Sequence, residues 1–172
     1  MKKFFLQGAF LMQLSNLNLE DQYSKSPNWN AFSSVPTVMV LAGEKASEDA
    51  TRWGLWLQKN INGDFAPTKE HLRILDSKEK AKVIAVATLP EVPGIFKGLF
   101  RRGFRAKAEM GVILDFGAAL STLLHYKEDS PDPAIAILPK GALNIEEAKI
   151  FIGPSRNQDL QKNILETLKR CL

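Results

Sequence analysis

The residues that could do chemistry in this chain are few, and their types and spacing argue against most of what they could do. The single thiol is Cys171, one residue from the last. Disulfide exchange runs through a thiolate, which Lys169 and Arg170 favour and a helix C-terminus opposes, so an incidental thiol is the default reading. One cysteine also excludes an intrachain disulfide and a thiolate metal cage. His71 and His125 lie far apart and outside any His-x-x-x-His spacing, so no metal site and no cofactor are expected. Ser47 is followed by Glu48 and Asp49, a hydroxyl beside carboxylates. Serine hydrolysis needs a base and an oxyanion hole, no Gly-x-Ser-x-Gly elbow is present, and N-capping of a helix explains the same three residues. Lys45 carries an amine, but a solvated lysine is the simpler reading.

The most distinctive local chemistry is Phe96 to Lys107. Lys97, Arg101, Arg102, Arg105 and Lys107 form a basic cluster with no acid among them. If the segment is helical, Phe96, Phe100 and Phe104 share one stripe and Lys97, Arg101 and Arg105 the next. Such a helix suits an anionic membrane surface, an acidic partner or nucleic-acid phosphates. The alternative is phenylalanines in the core and cations in water. Gly94, Gly98 and Gly103 weaken the helix by about 1 kcal/mol each relative to alanine. Nucleic acid is the least favoured, since no RNP, helix-turn-helix or zinc signature accompanies the charge. Asp115-Phe116-Gly117 spells the kinase metal-binding triplet in a chain with neither a glycine-rich phosphate loop nor an H-R-D.

These residues must be positioned by a set of short elements. Leu17, Leu19 and Tyr23 alternate with polar residues as in a half-buried strand, and Ser24 to Pro27 turns. Pro36 to Ala42 is a buried strand feeding a helix over Ala46 to Asn60, N-capped by Ser47, with Trp53, Trp56 and Leu57 on its packed face and Leu55 off it. Residues 65–80 are mixed, with a weak helical signal from Lys69 to Leu75. Lys82 to Leu89 is a second buried strand closed by Pro90 and Pro93. Val112 to Leu114 is short and apolar, and Gly117 opens a helix reaching Tyr126. Pro133 introduces a third buried strand, Ala134 to Leu138, and a fourth follows at Lys149 to Ile152. Ser155 and Gln158 read as a capping box before a helix with Leu160, Ile164, Leu165 and Leu168 on its apolar stripe. Apolar strands alternating with helices imply an α/β layer structure covered on both faces.

With 172 residues, 45% hydrophobic and 24% charged, the chain is about one ordinary globular domain, large enough to bury roughly 70% of its unfolded surface. The net charge of +4 comes from the 97–107 cluster, without which the rest is nearly neutral. Residues 1–16 read as an N-terminal extension and 17–172 as the domain. Lys2 and Lys3 before Phe4 to Met12 have the charged and apolar regions of an export signal, though Gln7 and Gln13 interrupt the run and no small-x-small cleavage site follows. A first strand or helix fits equally well, so a cytoplasmic and an exported protein both stay open. The run is too short to span a membrane.

The order is strand, helix, strand, helix, strand, tight turn, strand and closing helix. With L-S-N-L-N-L-E-D-Q-Y at Leu14 to Tyr23, P-T-V-M-V-L-A-G at Pro36 to Gly43, V-I-L-D-F-G at Val112 to Gly117 and D-P-A-I-A-I-L-P-K-G at Asp132 to Gly141, the chain resembles the thioredoxin-like fold, and more narrowly its redoxin (peroxiredoxin-like and TlpA-like) branch. The resemblance implies a three-layer sandwich with a central mixed β-sheet flanked by helices. It also implies that redox cysteines would fall within Lys45 to Glu48, where none exists, and the threonine and arginine of a peroxidatic site have no match. The A-G-x-x-x-S turn from Ala42 to Ser47 is similar to that of YtfJ-type bacterial proteins.

By the same resemblance, Pro133 corresponds to a proline that is usually cis and lies beside the active turn; the plain reading is a trans proline starting a strand. Glu44, Lys45, Ser47 and Pro133 then form a surface for an unidentified protein or small molecule, and Lys97, Arg101, Arg102, Arg105 and Lys107 a second, basic surface. The expected function is a redox-inactive thioredoxin-like protein with a binding or structural role. The competing expectations are a redoxin-type oxidoreductase with an unrecognised site, and a peripheral membrane or acidic-partner protein acting through residues 96–107.

Overall fold

Continuous apolar runs bounded by proline and glycine become the inner strands of a single six-stranded sheet. The computed structural model describes residues 13–108, 110–141 and 144–172. The elements in chain order are β1 (Glu20–Asp21), α1 (Trp29–Phe32), β2 (Thr37–Ala42), α2 (Ser47–Asn62), β3 (Lys82–Leu89), α3 (Gly94–Lys107), β4 (Val112–Phe116), α4 (Ala119–Leu123), β5 (Ala134–Leu138), β6 (Lys149–Ile152) and α5 (Gln158–Cys171). The strand order is β1-β4-β3-β2-β5-β6. β2, β3 and β4 run parallel, while β1, β5 and β6 are antiparallel to their neighbours.

Because side chains alternate along a strand, β2 feeds two cores at once. Met39 and Leu41 join Ile84, Val86, Ala136 and Leu138 under α1 and α4. Val38 and Val40 join Val83, Ile135 and Ile137 under α2 and α5. The chain is therefore an α/β sandwich with a mixed central sheet and helices on both faces, as the strand and helix order implies. Trp53 and Leu57 are fully buried, Trp56 is half-buried, and Leu55 is exposed, as the helical spacing requires.

Several expectations are corrected. The strand read around Leu17 to Tyr23 shrinks to Glu20–Asp21, because the Asp21 carboxylate accepts from the backbone N–H groups of Tyr23 (2.8 Å) and Lys25 (3.0 Å) and curls the chain away. The helical signal at 69–75 yields only successive turns, His71 N donating to the Thr68 carbonyl (3.0 Å) and Arg73 N to the Glu70 carbonyl (2.9 Å), while the Thr68 and Leu72 carbonyls also accept from the distant N–H groups of Gly111 (3.2 Å) and Asn28 (2.8 Å). The helix expected from Gly117 to Tyr126 is confined to Ala119–Leu123: Gly117 and Ala118 are left-handed (φ 77° and 56°). Asp115 caps it, accepting from the N–H groups of Leu120 (3.1 Å) and Ser121 (2.9 Å), which gives the Asp-Phe-Gly triplet a structural role. The cap of α5 is Asn157, whose side chain accepts from Leu160 N, and not Ser155. Residues 1–12, which carry the export-signal reading, lie outside the described residues. No helix of the described residues is long and apolar enough to cross a membrane.

Candidate functional site

At the C-terminal end of β2 the chain turns into α2 through a short 3-10 turn, Glu44–Ala46. Ser47 is already helical (φ −62°, ψ −39°), and Ala46 occupies the N-cap position. The expectation that Ser47 caps the helix is therefore wrong: a capping side chain needs an extended backbone, and the 3-10 turn has removed it. The Ser47 hydroxyl instead donates back to the Glu44 carbonyl at 2.9 Å. Asp49, one turn into α2, accepts from Ser155 N (2.8 Å) and Ser155 Oγ (2.5 Å), and Trp53 Nε1 donates to the Gly153 carbonyl at 2.9 Å. These contacts pin the start of α2 to the chain entering α5.

The loop after α4 closes over this turn. A methyl group on Gly43 would come within 1.9 Å of the Glu128 carbonyl oxygen, so only glycine lets the loop approach. Between turn and loop lies an open cleft of about 480 Å³ lined by Glu44, Lys45, Glu128 and Asp129. The register that pairs Leu41 with Ala134 brings Pro133 level with Ala42, at the same end of the sheet. The peptide bonds among the described residues are all trans, Pro133 included, so the cis geometry implied for it by the resemblance is corrected. The Asp132 carbonyl just before it accepts from Tyr126 Oη (3.1 Å) and Ser130 Oγ (2.8 Å), and Asp132 N donates to Ser130 Oγ (3.3 Å). Burial pushes the Tyr126 phenol above its ordinary pKa, and contacts with the Gly43 backbone and Ser130 pull the other way. Glu44, Lys45, Ser47 and Pro133 thus lie at one end of the sheet, but of these only Glu44 and Lys45 line the cleft, Ser47 being exposed outside it and Pro133 buried; Glu128 and Asp129, which the sequence pattern did not single out, complete the lining.

Cys171 does not share it. The start of α5 is held beside the turn by the Asp49 and Trp53 contacts, and its 14 residues carry Cys171 away by about 20 Å at 1.5 Å per residue. There it packs half-buried against the core beneath α2 and α5.

The basic segment is helical, glycines included. Lys97 faces Glu91 at 3.9 Å and lies over the Phe116 ring, Arg101 pairs with Glu20, and Arg105 Nη1 donates to the Gln22 carbonyl at 2.9 Å. Phe100 meets Phe116 edge to face. Arg102 and Lys107 point into solvent. The reading that places these phenylalanines in the core is corrected: α3 buries no residue, because it lies along the sheet edge formed by β4 and the two-residue β1.

A second polar constellation escaped sequence reasoning. Lys82 opens β3 and is fully buried, its ammonium donating to the Ile74 carbonyl (2.7 Å), the Glu79 carboxylate (3.1 and 3.2 Å) and His71 Nδ1 (3.2 Å), with the Phe32 ring 4.7 Å away. Three N–H donors meet three acceptor groups. His71 Nε2 donates to the Val83 carbonyl at 2.6 Å, so the imidazole is neutral with its proton on Nε2. Burial first, and the Lys82 charge second, lower its pKa to about 4. Burial also lowers the Lys82 pKa, opposed by Glu79. A cleft of about 390 Å³ reaches the cluster from the side of Asp64 and Phe65. With every donor taken, the cluster reads as an internal strut. A lysine at the head of an apolar strand, three residues after a glutamate, was the one signal in the sequence. Among the described residues no three His, Cys, Asp or Glu side chains converge as a metal site requires.

No protein-family model matches the sequence, and no curated protein matches it either. Solved structures do match in shape. A candidate thioredoxin from Neisseria meningitidis aligns over 93% of this chain and 88% of its own with a TM-score of 0.53 at 14% identity. The N-terminal domain of PilB from Neisseria gonorrhoeae aligns over 83% and 82% with a TM-score of 0.51 at 13% identity. The exposed lipoprotein thioredoxin Etrx1 from Streptococcus pneumoniae covers 88% and 96% at a TM-score of 0.49 and 15% identity. The fold of this chain is thioredoxin-like.

Proposed function

We propose that this chain is a thioredoxin-fold protein that performs no thiol exchange and works as a binding protein, using the end of the sheet where Glu44, Lys45, Ser47 and Pro133 lie. The observation that carries the reading is the roofing of the turn. The Glu128 carbonyl sits over Gly43, the Ser47 hydroxyl is engaged with the Glu44 carbonyl, and the sole cysteine is a helix length away. The thiol that the resemblance puts at this turn is absent, and an open cleft lies beside it.

The cleft carries three carboxylates, on Glu44, Glu128 and Asp129, against one ammonium, on Lys45. Its field favours a cationic group, such as a lysine or arginine of a partner peptide. Because the backbone of Asp132 is already hydrogen-bonded, contact by side chains fits this surface better than strand addition along Pro133. NMR titration of the full chain with basic and acidic peptides of equal length tests the reading. Shifts centred on residues 43–47 and 128–133 with the basic peptide alone are expected, and their absence overturns it. Insulin reduction and peroxide consumption test the rival oxidoreductase. Turnover by the wild-type chain refutes the non-exchanging role, and turnover that survives Cys171→Ser locates the rival's site away from that thiol.

A further inference from the structure

The outer face of α3 is unlike the rest of the surface. Of the eight large apolar side chains that are exposed among the described residues, three fall within five positions: Ile95 (82% exposed), Phe96 (46%) and Leu99 (58%). Ile95, Leu99, Arg102 and Ala106 are spaced by four, three and four residues, which aligns them on one ridge of the helix. The opposite ridge, Lys97, Phe100, Arg101 and Phe104, is the one engaged with the β1/β4 edge through Phe116, Glu91 and Glu20. A Cβ added at Gly94, Gly98 or Gly103 would touch nothing within 4 Å, so the ridge stands proud of glycine flanks in open solvent.

Charge follows the same geometry. Residues 94–107 hold five cations and no acid. Lys97 and Arg101 are neutralised on the inner side, whereas Arg105 meets only a neutral carbonyl, and Arg102 and Lys107 have no acidic partner among the described residues. The outward side is therefore apolar over its first two turns and positive over its last two.

We infer that α3 is a docking surface for an anionic lipid bilayer, lying along the interface with Ile95, Phe96 and Leu99 at the acyl boundary and Arg102, Arg105 and Lys107 on lipid phosphates. One feature favours a bilayer over an acidic protein. The face is convex, and the two clefts described above lie at other elements, so a protein partner would have to supply the groove, whereas lipid conforms to a protruding helix. The helix is already folded and braced on its inner ridge, so the face is preformed for its partner. The inference does not rest on the cleft at Glu44.

The test is sedimentation of the full chain with vesicles of phosphatidylcholine alone or with 30 to 40% phosphatidylglycerol (about a third anionic lipid, enough for a strong surface potential). Binding to the anionic vesicles only, weakening as salt is raised, is expected. Ile95→Asp with Leu99→Asp, at positions exposed enough to leave folding intact by circular dichroism, is expected to reduce partitioning about tenfold or more. Arg102→Gln with Arg105→Gln and Lys107→Gln should reduce it comparably. In a Cys171→Ser background, an environment-sensitive dye on Leu99→Cys should shift to the blue with anionic vesicles. Wild-type-like binding by both sets of variants would assign any membrane contact to another segment, such as Lys2 to Met12, and overturn the inference. So would an unshifted dye, or retention on immobilised polyglutamate without vesicle binding, which would point to an acidic protein.

Discussion

Helices α2 and α3 both cross between parallel strands of the same sheet, and they are of similar length, 16 and 14 residues. α2 buries Trp53, Leu57 and Ile61, while α3 buries nothing. The sheet beneath them differs. α2 covers β2 and β3, in the middle of the order, where strands continue on both sides; α3 lies where β4 meets a β1 of two residues and the sheet ends. A helix at such an edge keeps one bracing ridge and leaves its other face to solvent. The same contrast holds for charge: buried Lys82 meets three acceptor groups, and exposed Arg102 meets no acid among the described residues.

The comparison breaks most directly at the buried side chains. Trp53→Ala is expected to cost about 3–5 kcal/mol, and Leu99→Ala no more than about 0.5 kcal/mol, by urea denaturation. Comparable losses would show that α3 is packed after all. For the charges, Lys82→Met is expected to cost about 3–5 kcal/mol, because Glu79 and the Ile74 carbonyl would be buried without their partner; adding Glu79→Met should restore much of it. Arg102→Gln should stay within about 0.5 kcal/mol. An Lys82→Met protein as stable as the parent would mean that the cluster is open to water.

His71 gives the comparison a pH signature. Its folded pKa of about 4 lies below the ordinary histidine value of 6.5. The unfolded chain therefore binds more protons between the two, so the stability is fully present above pH 6.5 and is lost as pH falls through 4. That amounts to about 3 kcal/mol. Unfolding followed from pH 7 to pH 4 should show this loss, and His71→Gln should flatten the slope in that window. An unchanged slope would place the imidazole in contact with solvent. The smallest effects belong to α3 itself: Gly98→Ala and Gly103→Ala, each with open space around it, should raise stability by up to about 1 kcal/mol apiece. A loss at either position would reveal a neighbour on the outer face.

What was legible in the sequence follows the reach of each signal. β2, β3, β5 and β6 lie within a residue of the positions their apolar runs imply: β2, β3 and β5 are inner strands that need continuous apolar residues, β6 is a half-exposed edge strand with a short apolar run, and proline or glycine ends each. The missing thiol at Lys45 to Glu48 was equally plain, since it is a matter of composition. The helical signal at 69–75 gave only turns, where the Thr68 and Leu72 carbonyls are claimed by the backbone N–H groups of Gly111 and Asn28, more than forty residues away in each case. Ser47 and Ser155 failed as caps for different reasons: a 3-10 turn made Ser47 helical and turned its hydroxyl back to the Glu44 carbonyl three residues away, whereas Ser155 found Asp49, 106 residues away.

By itself, then, the sequence determined the alternation of buried strands with amphipathic helices, the glycine and proline boundaries between them, and the lack of any residue able to exchange disulfides at the β2 to α2 turn. Those properties depend on residue type and on spacing within a few positions. The tertiary structure alone decided that the loop at Glu128 lies over Gly43, that His71, Glu79 and Lys82 meet as one buried cluster, and that α3 faces outward with its isoleucine and leucine uncovered. Each of these is set by which distant segments come into contact and how much water they exclude, quantities that no window of the chain contains.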